Sequence, residues 1–324
     1  MAYFRTIATF LRVFFNLWTQ KPIALSFDIS GACNLNCPYC YWQKSKRQTQ
    51  LPLDQIVNLA KKYRGHGIVH ATWVGGEPTL RPDVLQAVTP IFPINWVVTN
   101  GIPVTQPSLQ NFNIFSLPNT SIIVSLDGVG EVHDHSRQRP GLYAIIKKGF
   151  WNKPILTTTT LHQGNKDQPE KLLKEWSRSG ILGMTFEFAT PIGRAADSRW
   201  DLVGKDRDTV IDRLINLKRT YGRFLANSIR GLHMLRSNNL KKWTGPARCP
   251  TAEFTISLDE AGQRKFPCVL GSAPDNPKGF KPACGSCGCH VPTIISGIKH
   301  FDWQIIQIAL WFLKIPTAPV SAST

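Results

Sequence analysis

The fold is decided by residues 23–40, Ile23-Ala-Leu-Ser-Phe-Asp-Ile29-Ser-Gly-Ala-Cys33-Asn-Leu-Asn-Cys37-Pro-Tyr39-Cys40. The apolar run at residues 23–29 is typical of a buried strand, and a loop with three cysteines follows it immediately. Along residues 23–189, similar runs alternate with helical patterns. Because repeated β-α units imply a parallel sheet with right-handed crossovers, we expect an α/β fold.

The repeat contains six strand candidates, which predict a partial (β/α)6 TIM-like barrel that stays open rather than closing with eight strands. The strand candidates are residues 23–29, 68–74, 94–99, 121–126, 154–161 and 184–189. Helical patterns occupy residues 53–64, 82–89, 142–150 and 169–179, with a weaker one near residues 107–112.

Unusual residues follow the candidate strands at their carboxyl ends. After the cysteine loop come Gly75-Gly76-Glu77-Pro78, Asn100-Gly101, Asp127-Gly128 and the Pro-Ile-Gly-Arg segment at residues 191–194. This edge of an α/β sheet carries the ligand site, because its loops converge on a rigid scaffold. Turn formation alone would explain any one of these segments, but it does not explain the cysteines beside them.

The first cysteines have the spacing C-x3-C-x2-C, and all eight fall into two odd-numbered groups. Without a secretory hydrophobic segment at the start, we expect a reducing cytoplasm, where clustered thiols hold metal more often than they form disulfides. Three thiolates on one loop can ligate three irons of a [4Fe–4S] cluster and leave the fourth iron open. A structural zinc site would need a fourth ligand, and no His is close by.

Together, these motifs resemble the radical S-adenosylmethionine (SAM) enzymes. The shared features are the cysteine triplet with Tyr39 before its last Cys, the GGEP-type motif at residues 75–78, and Thr99-Asn100-Gly101. The segment Ser125-Leu126-Asp127-Gly128, with Glu131-Val132-His133-Asp134 and Arg137 downstream, also looks like the family's later motifs. The resemblance covers residues 25–193 and implies reductive cleavage of SAM to a 5′-deoxyadenosyl radical, which abstracts hydrogen from a substrate.

The resemblance also implies roles for individual residues. Cys33, Cys37 and Cys40 would ligate iron and serve as the catalytic centre, and Tyr39 would lie near the adenine. The backbone of Gly75, Gly76 and Glu77, in the motif that Pro78 closes, would meet the methionine ammonium group, because glycine permits close main-chain approach. Asn100, Ser125 and Asp127 are candidates for ribose or methionine contacts, or for a strand cap and a turn. A substrate could meet Arg137, His162, Glu187 and Arg194, or these could be salt-bridge or solvated loop residues.

The second cysteine group consists of Cys249, Cys268, Cys284, Cys287 and Cys289. The segment at residues 258–268 resembles the opening of the SPASM and twitch extensions of radical SAM enzymes, although one more residue separates its Gly from its Cys. Five cysteines rather than seven imply one auxiliary [4Fe–4S] cluster, with the first four as preferred ligands and Cys289 and His290 as spares. Four thiolates with a C-x2-C pair also suit tetrahedral zinc.

Five segments follow from these patterns. We expect an N-terminal amphipathic helix (1–22), the radical SAM barrel (23–200), a helical connector (201–245), a small cysteine-rich metal-cluster domain (246–292), and an apolar C-terminal helix and tail (293–324). No apolar stretch reaches the roughly 20 residues that cross a bilayer. Aromatic residues beside basic ones in both terminal helices suit a membrane interface, although packing on the body of the protein would also explain them.

Composition narrows the function without naming it. In 324 residues, 38 Lys and Arg against 21 Asp and Glu give a net charge of +17, which suggests an anionic partner. We expect a cytoplasmic enzyme, peripheral on the inner face of the membrane, that acts on a peptide or a lipid and receives electrons from a flavodoxin or ferredoxin. The alternatives are an RNA-modifying radical SAM enzyme, disfavoured because no RNA-binding module is recognisable, and a non-catalytic iron–sulfur or zinc protein.

Overall fold

Seven parallel strands form one sheet in the computed structural model, which describes residues 2–40, 42, 50–102, 112–190, 200–276 and 281–313. The strands are β1 (Ala24–Ser30), β2 (His70–Gly75), β3 (Ile94–Thr99), β4 (Thr120–Ser125), β5 (Leu156–Leu161), β6 (Gly183–Phe188) and β7 (Thr255–Leu258). Their order is β6-β5-β4-β3-β2-β1-β7. Since β6 and β7 are the two edges and do not pair in the described chain, the barrel is partial and open, as expected.

Twelve α-helices accompany the sheet in the part of the chain that the structure describes. They are α1 (Ala2–Trp18), α2 (Leu53–Gly65), α3 (Pro82–Val88), α4 (Glu131–Arg137), α5 (Leu142–Phe150), α6 (Pro169–Trp176), α7 (Gly204–Tyr221), α8 (Ile229–Met234), α9 (Leu240–Trp243), α10 (Pro250–Phe254), α11 (Val291–Lys299) and α12 (Trp303–Leu313). None of the described helices is long and apolar enough to cross a membrane.

The two faces of the sheet differ in chemistry because neighbouring residues of a strand point to opposite sides. In β1, Leu25, Phe27 and Ile29 are fully buried and share one hydrophobic core with residues of α2 and α3. The other residues of β1, such as Ser26, and their paired residues on the neighbouring strands line the opposite, inner face of the partial barrel. Hydroxyl groups dominate that face, from Ser26, Ser30, Thr72, Ser125, Thr158, Thr160, Thr185 and Ser257.

A second, smaller core closes the amino end of the sheet. The Asn16 side chain, near the end of α1, donates hydrogen bonds to the carbonyl oxygens of Pro22 (2.9 Å) and Gly67 (3.1 Å), which precede β1 and β2. The core comprises Leu17, Ile23, Ala24, Phe254 and Ile295. It joins α1, α10 and α11 at the edge opposite the cysteine loop.

The structure confirms the six predicted strands to within two residues at each end. It adds β7, a strand of only four residues inside the region that was expected to be organised by metal. The helices α4 and α10 were also not predicted, and the described part of residues 293–324, where one apolar C-terminal helix was expected, contains most of α11 and all of α12. The weak helical pattern near residues 107–112 lies outside the described residues except for Phe112.

Candidate active site

The first cysteine group lies on the loop that follows β1. The Cys40 N–H donates to the Cys37 carbonyl at 3.1 Å, which folds the end of the triplet into a turn. The loop begins against the end of β2, where the N–H groups of Gly76 and Glu77 donate to the carbonyls of Ser30 (2.9 Å) and Ala32 (2.8 Å). A Cβ at Gly76 would lie 2.1 Å from the Ala32 oxygen, so only glycine fits beside the residue that precedes Cys33.

The three thiols lie in one neighbourhood, with Cys37 buried and Cys33 and Cys40 half-buried. Burial raises the pKa of Cys33 to about 11, and the neighbouring Cys40 adds to the shift. Burial likewise raises the pKa of Cys37 to about 12, with contributions from Cys40 and Cys33. Neighbouring thiols that resist ionisation without a counter-charge fit a cationic iron cluster, which would stabilise the thiolates. These side chains could therefore hold three irons, as their spacing predicted.

Glu77 has a structural role that its sequence motif did not reveal. Its buried carboxylate accepts hydrogen bonds from the Thr79 N–H (3.1 Å) and hydroxyl (2.6 Å), the Thr99 hydroxyl (2.7 Å) and the Asn100 N–H (2.8 Å). Burial raises its pKa even though these hydrogen bonds act in the opposite direction. The carboxylate joins the ends of β2 and β3 and is occupied by these protein groups. The predicted contact with methionine concerned the backbone, where the Glu77 N–H already donates to Ala32.

Asn100 joins the end of β3 to the cysteine loop. Its side-chain amide donates to Asn34 Oδ1 at 2.7 Å, and its Oδ1 accepts the N–H of Ile102 at 3.0 Å. Asn34 lies between Cys33 and Cys37 and was not among the predicted site residues. The sequence indicates Asn34 only by its position, because it is a polar residue inside the cysteine triplet that is not itself a usual metal ligand.

Asp127 anchors the other side of the loop. Arg137 donates from Nε to Asp127 Oδ2 (2.6 Å) and from Nη2 to Oδ1 (3.1 Å), and the Tyr39 hydroxyl donates to the same carboxylate. Burial alone would raise the pKa of Asp127, but Arg137 and the other donors outweigh it, so the pKa lies below its ordinary value. The ionised Asp127 therefore fixes Tyr39 beside Cys40. Ser125 ends β4 and is buried nearby.

Aromatic side chains surround Tyr39. Its ring centroid lies 5.1 Å from that of His162 and 5.7 Å from that of Trp200, and the Arg137 guanidinium carbon is 5.7 Å away. Burial lowers the pKa of His162 to about 4, so this ring is neutral near pH 7. The cluster offers flat ring surfaces of the kind on which a purine stacks. Trp200 was not predicted, because a single aromatic residue in a connecting segment has no signature in the sequence. The predicted segment at residues 191–194, with Arg194, lies outside the described residues.

Four of the five C-terminal cysteines line one cavity with an empty volume of about 330 Å³, partly open to solvent. They are Cys249, Cys268, Cys284 and Cys287, the preferred ligands. Cys289 is buried but does not line the cavity. Burial raises its pKa, and the negative charge of Glu187 raises it further. All eight cysteines are free thiols. Within the described ranges, no three His, Cys, Asp or Glu side chains converge on a position for a single metal ion.

Polar contacts connect the two cysteine groups across the inner face of the sheet. The Thr160 N–H donates to Asp127 Oδ1 at 3.0 Å, and its hydroxyl donates to Glu187 Oε1 at 3.4 Å. Glu187 Oε2 lies 3.0 Å from His290 Nδ1, next to Cys289. A buried ion pair from Lys265 to Asp28 (2.7 Å) lies on the same face. This pair was not predicted. Asp28, the single acidic residue in the apolar run of β1, was the feature of the sequence that could have indicated it.

Arg207 supports the second cysteine group from α7. Its guanidinium donates to the carbonyls of Cys287 (2.9 Å) and Ser286 (3.1 Å) and lies 4.7 Å from the Phe188 ring. Because Arg207 is fully buried, it fixes the loop that carries two of the cavity's cysteines. The connector between barrel and cysteine-rich region is thus part of the second site.

Comparisons with known proteins agree with this geometry. The model of the radical SAM superfamily matches residues 28–175. The chain is similar to the sporulation killing factor maturation protein SkfB of Bacillus subtilis, at 25% identity over 58% of this chain and 47% of SkfB. It is also similar to the PqqA peptide cyclase of Methylocella silvestris, at 22% identity over 48% of this chain and 44% of the cyclase. The chain spans about half the length of such curated relatives.

A solved structure shows the same fold over more of the chain. SuiB of Streptococcus suis, bound to its precursor peptide SuiA, superposes with a TM-score of 0.61 and 13% identity, covering 80% of this chain and 63% of SuiB. Members of the matched superfamily use a [4Fe–4S] cluster and SAM. Residues 28–175 therefore match the radical SAM superfamily, and the similar proteins support a SPASM-like cysteine-rich region after the barrel.

Proposed function

We propose that this protein is an enzyme that cleaves SAM reductively and abstracts hydrogen from a peptide. The observation that carries the proposal is the cysteine loop, which Gly76, Asn100 and Asp127 hold in place from three strand ends. A [4Fe–4S] cluster bound there would supply one electron to split SAM into methionine and a 5′-deoxyadenosyl radical. The protein's part is to bind, orient and exclude water.

Individual side chains divide that work in the proposal. Cys33, Cys37 and Cys40 would hold three irons and leave the fourth for SAM. The backbone at residues 75–78 would accept hydrogen bonds from the methionine ammonium group. Ser125, at the end of β4, would contact the ribose or the methionine of SAM. Tyr39, oriented by Asp127, offers its ring to the adenine. Support comes from the rings of His162 and Trp200 beside Tyr39, which give flat surfaces of the kind on which a purine stacks.

For the second cysteine group we propose an auxiliary [4Fe–4S] cluster held by Cys249, Cys268, Cys284 and Cys287. Four cysteines line this one cavity, and four thiolates are the usual ligands of a [4Fe–4S] cluster. The relatives with SPASM-like regions favour the cluster over tetrahedral zinc, which four thiolates would also suit.

A peptide substrate suits the inner face of the barrel better than a lipid. The hydroxyl groups, the ion pair of Asp28 with Lys265 and the hydrogen-bonded Glu187 and His290 would lose polar partners in the solvent if hydrocarbon filled this space. Backbone amides and polar side chains of a peptide can replace those bonds. The names of two similar proteins, the PqqA cyclase and SuiB with SuiA, point the same way. A flavodoxin or ferredoxin is the proposed electron donor.

The test is SAM cleavage by anaerobically reconstituted protein. Reduced with dithionite, it should release 5′-deoxyadenosine, and Cys37→Ala should abolish the release. Iron content should be about eight per chain for two clusters and about four in the double variant Cys249→Ala/Cys268→Ala. Cys289→Ala, which changes a buried cysteine outside the cavity, should keep all its iron. A chain that binds SAM without cleaving it, or a second site that copurifies with one zinc, would refute the corresponding part.

A further inference from the structure

The two ends of the chain meet in one exposed aromatic surface. Phe14 of α1 stacks on Phe301, just before α12, with ring centroids 5.7 Å apart. Around this pair, the exposed fractions are 65% for Leu11, 84% for Trp18 and 63% for Trp303, while Phe301 itself is 67% exposed. We call these five residues, with the half-exposed Phe15, the terminal patch. Contiguous exposed apolar surface of this kind marks an interaction site.

Basic residues border the α1 side of the terminal patch, and Asp302, between Phe301 and Trp303, is an acidic residue on its other side. Residues 1–27 contain Arg5, Arg12 and Lys21 and no Asp or Glu. The Arg12 guanidinium carbon and the Lys21 Nζ lie 5.8 and 5.7 Å from the Phe15 ring centroid. Exposed aromatic rings with basic groups at their edge complement the interface of an anionic bilayer, where rings enter the headgroup region and cations meet lipid phosphates.

The terminal patch lies at the amino end of the sheet, away from the cysteine loop. Asn16 fixes α1 to Pro22 and Gly67, which precede β1 and β2, whereas Cys33 follows the carboxyl end of β1. At 3.3 Å per residue, the seven residues of β1 separate the two ends by roughly 20 Å. A protein resting on the patch would turn its barrel mouth toward water.

We infer that the terminal patch docks this protein on an anionic membrane with the catalytic mouth facing away from the lipid. The orientation goes beyond the proposed function, since it assigns a surface that the chemistry does not use. It also means that substrate and electron donor arrive from water, so that the membrane serves as a location and not as a source of substrate.

The test is cosedimentation of the full, cluster-loaded chain with vesicles of phosphatidylcholine alone or with about 30% phosphatidylglycerol. Binding should require the anionic lipid and should weaken in 0.5 M salt, roughly as expected for screened surface charges. Leu11→Glu should lower the partition coefficient by about tenfold or more, because it places a charge among the patch's rings. Leu53→Glu, the same change at an exposed leucine on the mouth side, should bind like the wild type.

Orientation is read by hydrogen exchange on the vesicles. Amides of residues 9–21 and 300–306 should gain protection, while those of residues 33–40 and 126–137 should not. Protection at the mouth, or weaker binding of Leu53→Glu, would overturn the orientation. Equal binding to neutral vesicles, or a dimer in vesicle-free solution that Leu11→Glu separates, would overturn the membrane as partner. None of these readouts needs SAM cleavage, so they fail independently of the proposed function.

Discussion

Gly76→Ala is a substitution whose effect on packing follows directly from the distances in the structure. The new Cβ would lie 2.1 Å from the Ala32 oxygen, 2.6 Å from its carbonyl carbon and 2.8 Å from the Trp42 ring. An ordinary contact begins near 3.4 Å, so the strand end or the cysteine loop must move by about 1.3 Å. Two of these atoms are backbone, which cannot rotate away, and the next residue is Cys33.

We expect Gly76→Ala to destabilise the protein by about 1–3 kcal/mol, the usual cost of overpacking. The rate of 5′-deoxyadenosine formation should fall by about 100-fold, because a displacement near 1 Å at a catalytic group costs that much. Iron content, urea unfolding and the SAM cleavage rate are measured on anaerobic samples. Gly65→Ala is the matched control, since a Cβ there meets nothing within 4 Å. Equal rates and equal stability for the two variants would refute the packing argument.

Three further predictions concern residues outside the cysteine loop. Lys265→Met leaves Asp28 buried without its cation and should lower the free energy of unfolding by about 3–5 kcal/mol. The double variant Lys265→Met/Asp28→Leu should regain most of that loss. A single variant as stable as the double variant would contradict this. Burial lowers the pKa of His70 to about 4, so as the pH drops the unfolded chain binds the proton before the folded chain does. The free energy of unfolding should therefore fall by about 3 kcal/mol between about pH 6.5 and 4, and His70→Phe should abolish this fall. Equal pH profiles of the two proteins in urea titrations would contradict the prediction. Arg207→Met removes the donors to the Ser286 and Cys287 carbonyls, so about half of the iron should be lost while Cys33, Cys37 and Cys40 keep theirs; full iron content would show that Arg207 does not support the second site.

Local sequence patterns predicted most of the sheet because each strand carries its own apolar run. β7 escaped prediction because four residues are too short for a recognisable period, and its pairing with β1 depends on residues more than 200 positions away. The same distance hid the ion pair of Lys265 with Asp28. Long-range pairs of this kind have no signature in either partner alone.

The cysteine positions said more about the arrangement of the site than the surrounding polar residues did. Cys249, Cys268, Cys284 and Cys287, the preferred ligands from their spacing, line one cavity. For Glu77 only a backbone contact was expected, and for Asp127 a cofactor contact or a turn, so the hydrogen bonds of their carboxylates to protein groups were not anticipated. A motif gives the chemistry that a residue can perform, but the fold decides which neighbours occupy its atoms.

The decisive measurement is electron paramagnetic resonance of the reduced, reconstituted Cys249→Ala/Cys268→Ala variant, in which only the first cluster is expected, with and without SAM. If Cys33, Cys37 and Cys40 leave one iron for SAM, the spectrum should shift when SAM is added, and 5′-deoxyadenosine should form on warming. An unchanged spectrum, or no iron signal in this variant, would contradict the assignment of these three cysteines.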